Sequence, residues 1–349
     1  MAGDVLSINP WKTDESRFPR SGSIRDQLAF CVNYAVLAPS IHNTQPWLFR
    51  LLDDSIELYI DRGRSLPVTD PDGRELMISC GAALANLLVA IHRFGYEGWV
   101  QYAPDHSAPD LLARVRVGRA REPDYSDESM FRSIRRRRSV RKPFQARPVP
   151  RELQRRMIWL ASEFGCWLYF AESGAERHQI ASLVEEAHVR QLGDAEYQAE
   201  RACWMGTGDR VENNGVVSAS ERDLEPYGSR SPMGSGEPTV PIERWMERDR
   251  ELVKASPALF VLGSSDDAPL EWLRTGEALQ RILLRAEMEN VSASFLNQPC
   301  HFPDLRDQLR AITGRNGPPH VLLRMGYGTG IEPSPRRPVR DVILPPLDS

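Results

Sequence analysis

The chain has 349 residues, a formal net charge of −4 and a pI near 6.0. That length predicts two units sharing a large core, and the acidic balance argues against nucleic acid as the main partner, because phosphate-backbone binding requires a basic face. Arg outnumbers Lys 41 to 3, a bias that base composition explains and that does not by itself indicate anion binding. Met1 to Ser23 is polar and lacks an apolar h-region, so it reads as a flexible leader rather than a signal peptide. No apolar run reaches membrane-spanning length, and the chain is expected to be soluble, without a membrane partner. Five cysteines, Cys31, Cys80, Cys166, Cys203 and Cys300, are scattered and never spaced C-x-x-C. That pattern predicts a reduced, cytoplasmic protein with buried thiols.

In chain order, Ile24, Leu28, Cys31, Val32 and Ala35 recur at helical spacing, which predicts a first helix from Ile24 to Leu37. Pro39 ends it, because the residue before a proline is pushed out of the α region. Strands are expected at Trp47 to Leu52 and Ile56 to Ile60, joined by Asp53-Asp54-Ser55. After a polar loop with the turn signal Asp70-Pro-Asp-Gly, Arg74 to Gly95 predicts a helix apolar nearly all round, which must be buried on several sides. Strands at Trp99 to Tyr102 and Leu111 to Val117 complete the first half.

Glu122 to Asp127 reads as a polar connection. Helices are expected at Met130 to Arg137, Arg151 to Phe164, Glu176 to Met205 (broken near Gly193) and Leu270 to Asn290. Strands are expected at Cys166 to Ala171, Ala258 to Gly263, Ser292 to Leu296 and Pro319 to Met325. Gly206 to Val240 shifts to Gly, Ser, Asn and Pro without periodicity, which marks a lid or a disordered insertion. Gly276-Glu-Ala-Leu-Gln-Arg-Ile-Leu-Leu-Arg-Ala matches the character of Gly81-Ala-Ala-Leu-Ala-Asn-Leu-Leu-Val-Ala-Ile. The order helix, strand, long helix, strand therefore occurs twice, pointing to a weak internal duplication. The fold class expected is α+β, with a leader at 1–23, one half at 24–121 and another at 122–349.

Two stretches carry chemistry. Ala38 to Phe49 contains Pro39 and Pro46 around Ser40, Asn43 and Gln45, uncharged donors and acceptors suited to the edge of a flat polar heterocycle. In Arg137-Arg138-Ser139-Val140-Arg141, residues i, i+2 and i+4 of an extended chain share a face, so Arg137, Ser139 and Arg141 can converge on one anion. Arg135, Arg136 and Arg138 have a competing reading as a solvated helix end. His42 suits a spacer or wall more than a proton donor, and Cys300-His301 suits a structural pair more than a metal site or nucleophile. No metal is expected.

Pro39-Ser40-Ile41-His42-Asn43-Thr44-Gln45-Pro46-Trp47 resembles the flavin-edge motif of the nitroreductase superfamily, and Ile24 to Ile343 resembles its Acg-type, FMN-binding branch. The resemblance implies a nitroreductase-like fold of two tandem halves forming an intrachain pseudo-dimer, a monomer holding one FMN. It implies ring contacts from Pro39, Ser40, Ile41, Asn43 and Gln45 and phosphate contacts from Arg137, Ser139 and Arg141. Leu296 and Asn297 would lie along the flavin centre, and the basic tail at Arg336 and Arg337 would reach the phosphate. The implied activity moves reducing equivalents from NAD(P)H to a small electrophilic substrate, with the flavin rather than a protein residue carrying the chemistry. The alternative is an FMN-sequestering or storage protein whose lid blocks the ring.

Overall fold

The computed structural model describes residues 9–105, 107–204, 247, 250–328 and 331–346. Two four-stranded antiparallel sheets carry it. The first is built from β1 (Trp47–Leu51), β2 (Ser55–Ile60), β3 (Tyr96–Tyr102) and β4 (Leu111–Ala120), in the spatial order β1-β2-β4-β3. The second uses β5 (Cys166–Phe170), β6 (Ala258–Ser264), β7 (Ser292–Phe295) and β8 (Pro319–Gly326), in the order β5-β6-β8-β7. The strand order is therefore the same in both.

Between the sheets lie two 20-residue helices, α2 (Arg74–Arg93) and α7 (Pro269–Met288). They are the most extensively packed pair of elements in the molecule. Their backbones touch at two glycines. A Cβ on Gly81 would lie 2.0 Å from the Leu273 carbonyl oxygen, and one on Gly276 would lie 2.1 Å from that of Ile78. Each clash partner sits three residues before the other helix's glycine, so the crossing is reciprocal, and no side chain fits at its centre. Beside it, Gln280 Nε2 donates to Asn86 Oδ1 at 2.7 Å, joining two buried amides across the crossing. Asp70 caps α2 by accepting from Glu75 N and Leu76 N at 3.1 and 2.9 Å. At its other end Gly95, with φ +99°, donates to the His92 carbonyl, a left-handed stop that glycine adopts without steric cost.

Helix α1 (Ile24–Ala35) opens on a Ser23–Asp26 capping box and packs on α2. The remaining helices are α3 (Tyr125–Arg136), α4 (Arg151–Glu163), α5 (Gly174–Gly193), α6 (Ala195–Trp204) and α8 (Pro303–Thr313). Helix α3 starts earlier than periodicity suggested, because Asp124 and Asp127 form a capping box inside the expected connection. Helix α8 has no counterpart among the expected elements; Pro303 at its first turn and Gly314 at its C-cap are the signals it carried.

Three expectations change here. Residues 9–23 are not a loose leader: Phe18 stacks on Phe94 with ring centroids 4.1 Å apart and meets Phe30 edge-on. Burying one such ring stabilises by about 2–3 kcal/mol. The boundary at 121/122 does not divide the packing either, since Phe131, Ile134, Val339 and Val342 belong to the same core as Phe30 and Trp47. The tail crosses to the first sheet, where Ile343 bridges Phe49 in parallel and Leu344 N donates to the Phe49 carbonyl at 2.7 Å. Finally, α2 is long and apolar enough to cross a membrane by length and composition, contrary to expectation, but it is almost wholly buried between the sheets. The insertion expected at Gly206 to Val240 lies outside the described residues.

Candidate functional site

Between α1 and β1 the chain makes a tight corner. Ser40 Oγ accepts from Gln45 N at 3.0 Å, Asn43 N donates to the Ser40 carbonyl at 3.1 Å, and Thr44 N donates to that of Ile41 at 2.9 Å. Pro39 and Ile41 are half-buried at its start. His42, Asn43 and Gln45 have φ of 45°, 56° and 52°, left-handed conformations that cost on the order of 1 kcal/mol each for non-glycine residues. Such a corner persists only where its surroundings hold it.

The C-terminal tail holds it. Arg336 Nη1 donates to Asn43 Oδ1 at 2.8 Å, and its Nη2 reaches the Leu37 and Ala38 carbonyls at 3.4 and 3.1 Å. Asn43 Nδ2 donates to the Pro335 carbonyl at 3.0 Å. Arg337 N donates to Gln45 Oε1 at 2.9 Å, and Arg337 Nη1 bonds the Gln45 carbonyl and Asp61 Oδ2 at 3.1 and 3.0 Å. Gln45 Nε2 donates to the Asn43 carbonyl at 3.2 Å. Asn43 and Gln45 were expected to read a ring edge with their carboxamides; both are buried and clasp the tail and their own loop instead.

The basic segment follows α3 directly. Ser139 bridges Ala293 in parallel, and Val140 N donates to the Ala293 carbonyl at 2.9 Å, which extends the second sheet beyond β7. Buried Arg324 fixes this edge by donating to the Val140 and Lys142 carbonyls, each at 3.1 Å, while its guanidinium lies over Phe144. Arg137 Nη1 reaches Ser139 Oγ at 3.4 Å. Arg141 is half-buried and its charge is felt at His42. The expected triad is therefore drawn out, with Arg137 and Ser139 at one end and Arg141 towards the corner.

Arg138, expected to have a competing solvated reading, is part of this cluster. Its guanidinium lies 4.3 Å from the Trp11 ring centroid, that of Arg336 lies 5.2 Å from the same ring, and Trp11 Nε1 donates to the Ser334 carbonyl at 2.9 Å. Three guanidinium groups from two remote segments of the sequence thus share one corner, with Arg137 and Arg336 buried. Burial first, then the neighbouring Arg137 and Arg138 charges, pulls Arg336 down to about 9. Burial and Arg138 pull Arg137 to about 10, opposed by Glu287. The Nε of Arg137, Arg138 and Arg336 are all enclosed without a hydrogen-bond partner. Buried cations with unused donors are costly unless an anion joins them.

Leu296 and Asn297, the residues expected along the flavin centre, are fixed by their own contacts. Leu296 packs in a core with Cys300, Leu305 and Leu309. Asn297 Oδ1 accepts from Leu322 N at 2.8 Å, and its Nδ2 donates to Glu75 Oε1 at 3.1 Å. His301 Nε2 lies 2.8 Å from the same Glu75 oxygen, and His301 Nδ1 lies 2.8 Å from Gln191 Nε2. Burial would raise the Glu75 carboxyl, but the His301 and Arg74 charges outweigh it and hold it below its ordinary value. Burial, aided by His301 and Arg201, depresses His42 to about 4, so its imidazole is neutral at pH 7; its Nε2 is enclosed and without a partner. Helix α6 closes this side, since Glu200 accepts from Val68 N and Thr69 N at 2.9 and 2.8 Å and Trp204 lies beneath Arg64. Among the described residues no group of three or more His, Cys, Asp or Glu is placed to hold a metal ion.

Trp11, Arg324, Glu75 and Gln191 were not among the expected site residues. Each acts through a partner tens to hundreds of positions away, and no local motif marks them.

Fold and site together define an α+β protein of two like-ordered sheets that gathers a buried cationic corner against a strained, tail-clasped loop. Residues 134–328, which span the second sheet and the basic segment, match the model of the Nitroreductase family. The chain belongs to that family. It is 31% identical over 338 residues to the Mycobacterium tuberculosis protein named "Putative NAD(P)H nitroreductase Rv3131", covering 94% of this chain and 93% of that one. It is 28% identical over 324 residues to the "Putative NAD(P)H nitroreductase acg" of the same species, covering 91% and 95%. Among solved structures, the FMN-dependent nitroreductase NfnB from Mycobacterium smegmatis in complex with NADPH is 19% identical, with a TM-score of 0.39, and covers 59% of this chain and 89% of that one.

Proposed function

We propose that this protein is an FMN-dependent oxidoreductase that takes reducing equivalents from NAD(P)H and passes them to a small electrophilic substrate, one flavin per chain, as a monomer acting as an internal pseudo-dimer. The observation that carries the reading is the corner of Arg137, Arg138 and Arg336, where buried cationic donors lack partners. A phosphate monoester supplies the missing charge and acceptors. Arg137, Ser139 and Arg141 would hold it, with Arg138 and Arg336 adding charge, and Trp11 walling the end. The backbone of the Pro39-Ser40-Ile41 corner and of Leu296-Asn297 would flank the ring, with Asn43, Gln45 and Arg337 acting as the clasp that keeps the corner in shape.

Bound there, FMN would supply reversible two-electron chemistry. The chain's own residues would bind, orient and shield. The pseudo-dimer is supported by the repeated strand order and the reciprocal Gly81–Gly276 crossing. The names of the mycobacterial relatives support NAD(P)H as donor.

The test is to quantify flavin in the purified protein and titrate it anaerobically with NADH and NADPH, following absorbance. The expected result is about one FMN per chain that bleaches with either nucleotide. Bound FMN that resists both nucleotides but accepts electrons from a small chemical reductant would replace the oxidoreductase reading with a flavin-holding one.

A further inference from the structure

Residues 9–18 run from the arginine corner to the aromatic core of the first half, and their two ends are held differently. At the core end Phe18 stacks on Phe94, Glu15 Oε2 lies 3.7 Å from Arg93 Nη2, and the buried Thr13 gives its carbonyl to Arg135. The tip at the other end is shaped from within. Asn9 Oδ1 accepts from Trp11 N at 3.1 Å, and Thr13 Oγ1 donates to the Pro10 carbonyl at 2.9 Å. What the tip carries to the corner is the Trp11 side chain. Its ring lies against the Arg138 and Arg336 guanidiniums at 4.3 and 5.2 Å, and its Nε1–H donates to the Ser334 carbonyl at 2.9 Å. The next two tail residues, Pro335 and Arg336, clasp Asn43. One indole therefore touches two of the three cations and the tail that shapes the flanking loop.

Such a ring can act in two ways. Its π face attracts guanidinium charge, which offsets part of the cost of enclosing the Arg138 and Arg336 Nε atoms without partners. Its bulk also excludes water, and bonds between guanidinium and phosphate strengthen where water is excluded. A plug would do only the first and leave when an anion arrives; a seal stays and does both. The geometry favours the seal. The place for the anion is at Arg137 and Ser139, whose Nη1–Oγ separation of 3.4 Å leaves a weak bond to be replaced, whereas Trp11 occupies Arg138 and Arg336 beside it. The ring need not move for phosphate to bind.

We propose, resting on the FMN reading, that residues 9–13 form a strap hinged at their core-anchored end, and that Trp11 seals the phosphate end of the cofactor site, so that the strap opens whenever FMN enters or leaves. The seal also limits what fits. A terminal phosphate ends beneath the ring, whereas a phosphodiester such as that of FAD has to continue through the space the ring fills. Riboflavin, which carries no phosphate, gains nothing from the seal.

Stopped-flow flavin fluorescence, on mixing FMN with the flavin-free full chain and on diluting the complex, reads entry and release separately. Trp11→Ala should speed release about 100-fold and entry about tenfold, for a net loss of about tenfold in FMN affinity. The same variant should bind FAD about tenfold or more tighter than wild type does, while its riboflavin affinity stays within about twofold. Trp11→Phe keeps a ring over the guanidiniums and loses the bond to Ser334, so entry and release should each rise about threefold. Faster release at unchanged entry would make Trp11 an ordinary contact, and faster entry at unchanged release would make it a plug; either result overturns the seal. An equal loss of riboflavin affinity, an unchanged FAD affinity, or no change in either rate overturns it too. If the wild-type chain binds neither FMN nor riboflavin, the FMN reading fails and takes the strap with it; if FMN binds and the variants are silent, only the strap fails. Should Trp11→Ala not fold, the two rates in Trp11→Phe decide.

Discussion

The two halves share a strand order but treat corresponding connections differently. Before β1 the first half spends the stretch from Val36 to Pro46 on a corner with three left-handed residues, whereas before β5 the second half uses only Phe164 and Gly165. Conversely, β1 and β2 are joined by a hairpin of three residues, Leu52 to Asp54, while residues 171–257 separate β5 from β6. The helix crossing is also decorated unequally. Ala82 follows Gly81, but Glu277 follows Gly276, and Glu277 Oε2 accepts from Tyr102 at the end of β3 at 2.8 Å. Burial pushes the Glu277 carboxyl up to about 7 against the opposing effects of Tyr102, Arg281 and Arg274. One side therefore gathers cations with unused donors, and the other fills itself with a carboxyl–phenol pair. A common scaffold can supply both, because strand order constrains the layers while the connections remain free to diverge.

The comparison can be broken first at its axis. Gly81→Ala and Gly276→Ala should each cost about 3 kcal/mol or more, because the new Cβ meets backbone that cannot turn aside. Chemical denaturation should show similar losses for both; tolerance of one alone would mean the crossing is not reciprocal. Next is the cationic side. Arg137→Gln should weaken FMN retention by about 10- to 100-fold, or about 1.5–3 kcal/mol, measured as flavin per chain after desalting. The flavin-free protein should be no less stable than wild type, because a buried cation facing Arg138 and Arg336 has gone. A large stability loss with unchanged flavin would make Arg137 a structural residue.

On the filled side the sign is set by Glu277. Its folded value, about 7, lies above the unfolded one near 4.5, so folding favours the protonated form. Its contribution is fully present below the unfolded value and is lost as pH rises through the folded one. Wild type should lose stability between pH 5 and pH 8, and Glu277→Gln should flatten that slope by up to about 3 kcal/mol; parallel curves would dismiss the carboxyl. The smallest effect is expected at the clasp. Asn43→Ala removes the bonds to Arg336 and Pro335, costing about 1–2 kcal/mol. Limited proteolysis should then cut residues 331–346 faster than in wild type.

Much of the fold was legible because it is local. The helical periodicity of Ile24 to Leu37, the all-round apolar run after Arg74, and the alternation at Trp47 and Ile56 each placed an element within a few residues of where it lies. Likewise, the match between the Gly81 and Gly276 runs singled out the two helices that cross. The flanks were read less well. Residues 9–23 look like polar leader until Phe18 and Trp11 meet partners more than 70 and 120 positions away. Asp124 and Asp127 resembled a linker because capping residues are polar by nature.

The site divides in the same way. Residue types and the resemblance to family motifs singled out Pro39 to Trp47 and Arg137 to Arg141, since corners and anion-binding segments favour particular residue types. Sequence could not say where side chains point. Asn43 and Gln45 have the chemistry to read a ring, yet their amides turn to the tail, because the Arg336 guanidinium and the Arg337 backbone N–H arrive as donors needing buried acceptors. Arg138 joins the cluster because Trp11 covers it, and His301 joins Glu75 because α2 and the turn after β7 meet. By itself, the sequence determined which residue types this protein owns and which elements they build, through short-range sterics and periodicity. Only the tertiary structure decided which guanidinium nitrogens are left without partners, because that depends on acceptors delivered by chain segments as much as three hundred residues apart.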